Sequence, residues 1–496
     1  MSNRRRVTFV WIVLFFTAGC APVQRYRPAP LSPAETASRL KARGLDDSGL
    51  RRFVEQNGHE LSQWPPEAWD LRLLTLAAFY FSPTLDAARA RVAFAEAAIV
   101  TAGARPNPTI TLTPGVPNPY LLGFDFQVPI ETAGKRAYRL EEARSLSEAA
   151  KLDLAETAWK VRSGVRTALL DHFTAVRDLA LLRSEEETRT QQVRLLGQRL
   201  QVGDIARPEF EASRFALLQT QIAMHAAEGR LAETRAALAA AIGVPVSGME
   251  NVQLSWSDFE QPPAAQTLSP KLIQREAVLN RLDVRRALSE YAAAEAALQL
   301  EIAKQYPDFQ IGPGYQLEER NSFFTVGLTV TLPIRNRNQG PIAEAEARRK
   351  EAAARLLSTQ AQVIAQSEVA LARYGAELRE LGEAQELLTK LQGEREQMTT
   401  RALQIGESDR LALNAVMLER SAVAQAWFGA LVRAQQALGE LEDAVERPLE
   451  PGDIPQLTPQ SPALKSPASR SRDHGCPQPP PRIRTSGFPA SGSCLR

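Results

Sequence analysis

Leu200-Gln201-Val202-Gly203 and Leu403-Gln404-Ile405-Gly406 are two copies of one signal, 203 residues apart in a chain of 496. Each closes a long run without proline, 135–202 in the first case and 342–405 in the second. Rich in alanine, leucine, glutamate and arginine, such runs read as helices. At 1.5 Å per residue, about 65 residues span roughly 100 Å, more than a globular domain contains. The glycine suits the position just past a helix C-terminus, where a left-handed backbone is needed. A second helical run follows each turn, about Pro208–Ile242 and about Arg410–Val445. The chain therefore carries two long helical hairpins, with turns near Gly203–Arg207 and Gly406–Asp409.

The duplication extends beyond the turns. Ala95-Glu96-Ala97-Ala98 recurs as Ala294-Glu295-Ala296-Ala297, and Pro114-Gly115 as Pro313-Gly314. Pro129-Ile130 recurs as Pro333-Ile334, and Glu142-Ala143-Arg144 as Glu346-Ala347-Arg348. Each unit opens with a helix, about Thr84–Arg105 and about Pro270–Gln305, followed by two short alternating runs. Thr109–Thr113 and Phe124–Val128 alternate in the first unit, Phe309–Ile311 and Phe324–Leu332 in the second. A period of two in threonine and large apolar residues means strands with one apolar face. Pro-Gly and Asn-Pro steps are expected to separate them. The predicted organisation is a signal peptide over 1–19, an N-terminal segment over 20–69, a first repeat over 70–245, a linker over 246–269, a second repeat over 270–446 and a disordered tail over 447–496. Within the repeats, strands are expected at about 108–130 and 307–334, and hairpins at about 135–242 and 341–445.

Composition narrows the function. A net charge of +2 argues against nucleic-acid binding. Past the N-terminus no apolar run of eighteen residues occurs, so no helical membrane span is expected. Yet four strands with one apolar face cannot close a barrel alone, and open edges in a bilayer cost several kcal/mol per unpaired group. Two copies would give eight strands and a filled interior; three would give twelve and begin to leave a lumen. In such a barrel Ile110, Leu112, Phe124, Phe126, Val128, Val326, Leu328 and Val330 would face lipid, and the threonines, Asp125 and Gln127 would face water. The plainer alternative is a soluble sandwich core.

At the N-terminus, Arg4, Arg5 and Arg6 precede the apolar stretch Val7–Phe16 and the small residues Thr17, Ala18 and Gly19, the order of a secretory signal. Thr17-Ala18-Gly19-Cys20 resembles the lipobox of bacterial lipoproteins, with threonine where leucine is preferred. That resemblance implies lipidation of Cys20, and Ala21 implies sorting to the outer membrane. Losing residues 1–19, with three arginines and no acid, takes the charge from +2 to −1. From Pro448 onward lie 11 of the 33 prolines, a composition that cannot bury enough surface to order itself. Cys476 and Cys494 fall there.

The whole repeat, over about residues 70–446, resembles the TolC-type outer-membrane efflux proteins. Its marks are the paired turns, the segment Pro129-Ile130-Glu131-Thr132-Ala133-Gly134-Lys135-Arg136 and the duplication. That segment is similar to the heavy-metal exporter branch, the CzcC and CusC type. The resemblance implies a mostly α fold with a small β part: a helical-hairpin tunnel, plus four strands per chain completing a trimeric twelve-stranded outer-membrane β-barrel. It implies a passive duct from periplasm to exterior for metal cations or other small toxic compounds. The expected partners are two further copies in a homotrimer, a periplasmic adaptor (membrane fusion) protein, an inner-membrane pump of the RND type and outer-membrane lipid. Docking of the adaptor is expected at Gly203, Asp204, Arg207, Gly406, Glu407 and Arg410. Some members hold the periplasmic mouth shut with tyrosine, arginine and aspartate near the second turn; Leu403, Ser408 and Ala412 stand there, so that lock is absent. Asp204, Glu209, Glu407 and Asp409 are candidates for an acidic ring at the mouth, against the plainer reading that they solvate helix ends.

No catalytic constellation is present: no phosphate-binding glycine loop, no Gly-x-Ser-x-Gly and no His-Glu-x-x-His. His172 and His225 lie in the first hairpin and could approach one another, but without carboxylate or cysteine partners they make a poor metal site. Met224 and Met417 read as packing residues. Neither an enzyme activity nor a cofactor is expected. The competing function is a structural periplasmic coiled-coil lipoprotein scaffolding an envelope complex.

Overall fold

The computed structural model describes residues 26–59, 62–115, 121–264, 270–318 and 321–449. The chain divides into two units, Met1–Pro455 and Gln456–Arg496, and every described residue lies in the first. The signal segment, Cys20, Cys476, Cys494 and the tail from residue 450 lie outside the described residues.

Two short helices come first, α1 (Pro33–Lys41) and α2 (Ser48–Gln56), then α3 (Leu71–Phe81) and α4 (Pro83–Gly103). Strands β1 (Thr109–Gly115) and β2 (Leu121–Ile130) lead into α5 (Lys135–Gln201), whose 67 residues make a helix roughly 100 Å long. Helix α6 (Arg207–Ile242) completes the first hairpin. In the second repeat, α7 (Pro270–Asn280) and α8 (Leu282–Ala303) precede β3 (Phe309–Glu318) and β4 (Asn321–Val330). The second hairpin is α9 (Gln339–Glu386), a π-helical turn (Leu387–Gln392), α10 (Gly393–Gln404) and α11 (Arg410–Val445). No described helix is long and apolar enough to cross a membrane.

Three expectations are corrected. The helix expected over about Pro270–Gln305 is two helices. Arg281 between them is extended, and its guanidinium holds Asp283 at 2.9 Å, the Gln366 side-chain oxygen at 2.8 Å and the Ala444 carbonyl at 3.1 Å. The run 342–405 is likewise interrupted. Buried Gln392 donates to the Val416 carbonyl at 2.9 Å, and the helix widens into a π turn there. Pro313-Gly314 does not separate strands but lies inside β3, while Pro114-Gly115 ends β1.

The main core lies at the middle of the hairpins and draws on segments that carried no expected structure. Helix α3 is apolar on nearly every side, Arg72 and Tyr80 excepted, and nine of its eleven residues are buried, as such a helix must be. Its N-terminus is capped twice: Asp70 accepts from the Leu73 N–H at 2.7 Å and Asp258 from the Leu71 N–H at 3.1 Å. Trp69 pairs with the inter-repeat connection through its N–H to the Gln253 carbonyl and its carbonyl to the Ser255 N–H, each at 2.9 Å. Phe259 from that connection packs on Phe173 of α5, which also meets Phe428 of α11. Burying each such ring stabilises by about 1.5–3 kcal/mol. Residues 246–264 are thus part of the core as well as a connection.

Candidate functional site

The four strands form one antiparallel meander in the order β1-β2-β3-β4, so β2 and β3 join the two repeats and β1 and β4 are open edges. Register decides which side chains share a face. Ile110 lies opposite Phe126, Leu112 opposite Phe124, Val128 opposite Ile311, and Ile311 opposite Leu328. One face therefore carries Ile110, Leu112, Leu122, Phe124, Phe126, Val128, Ile130, Ile311, Phe324, Val326, Leu328 and Val330, and all but half-buried Phe126 are exposed. The other face carries Thr109, Thr111, Thr113, Asp125, Gln127, Gln310, Gln316, Thr325 and Thr329, with Gly123, Gly312, Gly314 and Gly327 among them and the apolar Leu121 and Phe323 near its far end. All eight strand residues singled out from the sequence fall on the apolar face.

The β2–β3 ladder pairs Asp125 with Gly314 and Val128 with Ile311, and lapses between them, opposite Pro313 and Gly312. Proline supplies no N–H, which accounts for its tolerance inside a sheet at this interruption. Gly312 lets the two repeats approach closely, since a Cβ there would overlap the Phe126 carbonyl oxygen.

The segment Pro129–Arg136 stitches the repeats together where sheet meets helices. Ala133 and Gly134 both take positive φ, 54° and 73°, turning the strand sharply into α5. This brings buried Lys135 to Asp308 and to the Tyr306 carbonyl, both at 2.7 Å. The Thr132 N–H adds a bond to Asp308 at 2.8 Å. Burial pushes the Asp308 carboxyl up, but the Lys135 ammonium and the Thr132 donors outweigh it and hold the group below the usual carboxylate range. Arg139 grips Glu131 with two N–H bonds.

The two hairpin turns are built alike. Gly203 and Gly406 take φ of 79° and 78°. Gly203 N–H donates to the Leu200 carbonyl and Asp204 N–H to that of Arg199; Gly406 and Glu407 repeat this on Leu403 and Ala402. Both are Schellman motifs. Asp204, Arg207, Glu209, Glu407, Asp409 and Arg410 are exposed. Asp409 has two local tasks. It caps α11 by accepting from the Ala412 N–H at 2.7 Å, and it pairs with Arg199 of the first hairpin at 2.6 Å. The Ala412 N–H and Arg199 keep its carboxyl below the usual range. Glu209 lies in the first turn of α6, at its positive dipole end.

The histidines do not share a partner. His172 is buried and bonds Thr234 at 3.1 Å, whereas exposed His225 bonds Glu228 at 3.2 Å. Among the described residues no group of three or more His, Cys, Asp or Glu side chains is placed to hold a metal ion.

One titratable group escaped sequence reasoning because only tertiary contacts perturb it. Glu446 takes positive φ, 49°, just past α11, and caps α8 by accepting from the Leu282 N–H at 2.6 Å. Burial pushes its carboxyl up to about 7; the Leu282 N–H and Arg281 oppose this, and Asp283 and Glu156 add to it. The folded protein therefore keeps this proton between about pH 4.5 and 7, where the unfolded chain has lost it. Its contribution to stability falls as pH rises through that window. Glu446→Gln is expected to flatten this slope and to exceed the unsubstituted protein in urea midpoint near pH 8 but not near pH 5; parallel pH profiles would refute the assignment.

Comparison with known proteins agrees with this geometry. Residues 80–244 match the model of the outer membrane efflux protein family. The cobalt-zinc-cadmium resistance protein CzcC of Cupriavidus metallidurans is 24% identical over 220 residues, 44% of this chain and 51% of that protein. The match thus spans about half the length of this curated relative. Among solved structures, the outer membrane protein VceC of Vibrio cholerae superposes with a TM-score of 0.60 at 18% identity, over 77% of this chain and 97% of that one. CusC, whose crystal structures address folding and transmembrane channel formation, gives 0.60 at 16% identity, over 86% and 99%. The resemblance to the efflux family holds, with the metal-resistance protein CzcC among the relatives, and so does the mostly α, TolC-like fold with a small four-stranded β part.

Proposed function

We propose that this chain, which carries the fold of the outer-membrane efflux channels, is one third of a passive export duct through the bacterial outer membrane. The observation that carries the proposal is the two-faced sheet with both edges open. An even meander returns β1 and β4 to the same end, so β4 of one copy meets β1 of the next antiparallel, and a ring of copies leaves no edge unpaired. Three copies give twelve strands, enough for a lumen lined by the threonine, glutamine and Asp125 face. The apolar face then contacts lipid, and the hairpins form a tunnel in the periplasm. Such a duct performs no chemistry; energy and cargo selection belong to an inner-membrane pump, of the RND type. The cargo is metal cations, as the resistance role in the name of CzcC suggests, or other small toxic compounds. Lipidation at Cys20 would add an anchor.

A periplasmic adaptor would load the tunnel at the hairpin turns, touching Gly203, Asp204 and Arg207 on one and Gly406, Glu407 and Arg410 on the other. An apolar residue stands at the same place in each tip, Val202 at 79% and Ile405 at 69% exposure, as a surface awaiting a partner would. Gly203→Pro or Gly406→Pro removes a positive φ that proline cannot adopt and an N–H that the turn uses. Either is expected to abolish export while trimers still form; unchanged metal resistance in cells carrying them would count against docking there.

The direct test is the mass of the detergent-purified mature protein, corrected for bound detergent, followed by conductance in a planar bilayer. Three chains and steady ion conductance support the duct. A monomer that needs no detergent would instead favour the periplasmic scaffold.

A further inference from the structure

We propose that the rim where the sheet meets the helices is a basic collar that binds the phosphate groups of anionic phospholipids in the periplasm-facing leaflet. This rests on the reading of the sheet as part of a membrane barrel. Three described carboxylates near the strand ends on this rim are already taken. Glu131 pairs with Arg139, Asp308 with buried Lys135 at 2.7 Å, and Glu301 with Lys304 at 2.6 Å. Arg105, just before β1, and Arg335 and Arg337, just after β4, are exposed and form no ion pair with a described carboxylate. Arg136 spends its Nε on the Gly103 carbonyl and is otherwise exposed. At the opposite end the β3–β4 connection reads Glu318-Glu319-Arg320 in the sequence, one net negative charge, against four arginines in the segments flanking the strands on this rim.

Two further features point to lipid. Just past the end of β4, Leu332 is 66% and Ile334 is 77% exposed, immediately before Arg335, where the backbone bends out of the strand. Tyr306 is 61% exposed at the same level, where an amphipathic ring suits a membrane–water interface. Apolar, aromatic and cationic side chains thus follow one another in the order a leaflet presents tails, interface and phosphates. Closure of the ring adds to the effect. With β4 of one copy beside β1 of the next, Arg335 and Arg337 come to the rim position of the neighbour's Arg105. Three like charges without an acid repel unless an anion lies among them. A lipid phosphate, delivered at that depth by its own tails, satisfies all three.

The test uses full-length trimers taken from mixed micelles holding equal phosphatidylglycerol and phosphatidylcholine, with retained lipid counted by native mass spectrometry. A surface arginine near an anionic membrane contributes on the order of fivefold in preference. The unsubstituted trimer is therefore expected to retain phosphatidylglycerol at least about fivefold over phosphatidylcholine, less so at high salt. R105Q/R335Q/R337Q is expected near parity, R337Q alone between the two, and R335K/R337K unchanged. Parity in the unsubstituted trimer would overturn the collar. So would an undiminished preference in the triple and single glutamine variants, as expected if these arginines pair with carboxylates across the subunit interface. Mass and conductance of the same samples separate this outcome from failure of the duct. Trimers that conduct without lipid preference sink only the collar, whereas a chain that forms no trimer sinks both.

Discussion

Glu442→Leu is expected to cost about 3–5 kcal/mol of stability, because it takes a shared carboxylate away from two buried cations. Glu442 is 3% exposed; its Oε2 lies 3.0 Å from Arg162 Nη1 and 3.5 Å from Arg166 Nε, and both arginines are buried. Its other oxygen accepts from the Leu449 N–H at 3.0 Å. Arg162 also lies over the Trp159 ring and Arg166 over Phe259, while Arg166 bonds Gln435 at 3.0 Å. These contacts fix both guanidinium groups in place on α5 against α11, so they cannot turn out to water when the carboxylate is lost. The triple variant R162M/E442L/R166M, which removes all three charges, is expected to recover most of the loss, since a buried ion pair is close to neutral against well-packed apolar replacements. Urea unfolding of the detergent-purified protein, followed by tryptophan fluorescence, reads both. A loss below about 1 kcal/mol for the single variant would show that water reaches the site.

Gly312→Val is expected to disrupt the seam between the repeats. The new Cβ would overlap the Phe126 carbonyl oxygen, and because that atom is backbone no rotamer change relieves it. Strands β2 and β3 must separate, at or beyond the upper end of the about 1–3 kcal/mol typical of overpacking. In a ring of copies the same defect recurs in every subunit. Gly327→Ala is the control, since its Cβ would find its nearest neighbour, the Gly312 carbonyl oxygen, at 3.8 Å. The fraction migrating as heat-modifiable trimer and the frequency of bilayer insertion should fall sharply for the first substitution and stay unchanged for the second. If G312V behaved like G327A, close approach at this seam would not be what the glycine provides.

Much of the candidate site was legible because it depends on local backbone preference. Gly203 and Gly406 announce their turns by standing where long proline-free runs stop, and both adopt the left-handed conformation that glycine favours. Alternation alone put Ile110, Leu112, Phe124, Phe126, Val128, Val326, Leu328 and Val330 on one face, since a strand's side chains can only alternate. Pro313-Gly314 misled for the same reason. Locally that pair signals a turn, and only the lapse in pairing opposite it lets it stay within β3. For Asp409, a candidate for the acidic ring, the cap on α11 is a local motif, whereas its bond to Arg199 joins residues 210 positions apart.

By itself, then, the sequence determined the repeat, the helical hairpins, the turn residues and the two-faced character of the strands, all of them consequences of periodicity and single-residue conformational limits. The tertiary structure alone decided that β2 pairs with β3, that Arg281 breaks one helix and Gln392 widens another, and that Trp69, Phe259 and α3 complete the core. It also decided which carboxylates at the sheet rim are already paired and which arginines are left over. Each of these rests on contacts between residues far apart in the chain, whose energies depend on burial and distance rather than on the order of neighbours.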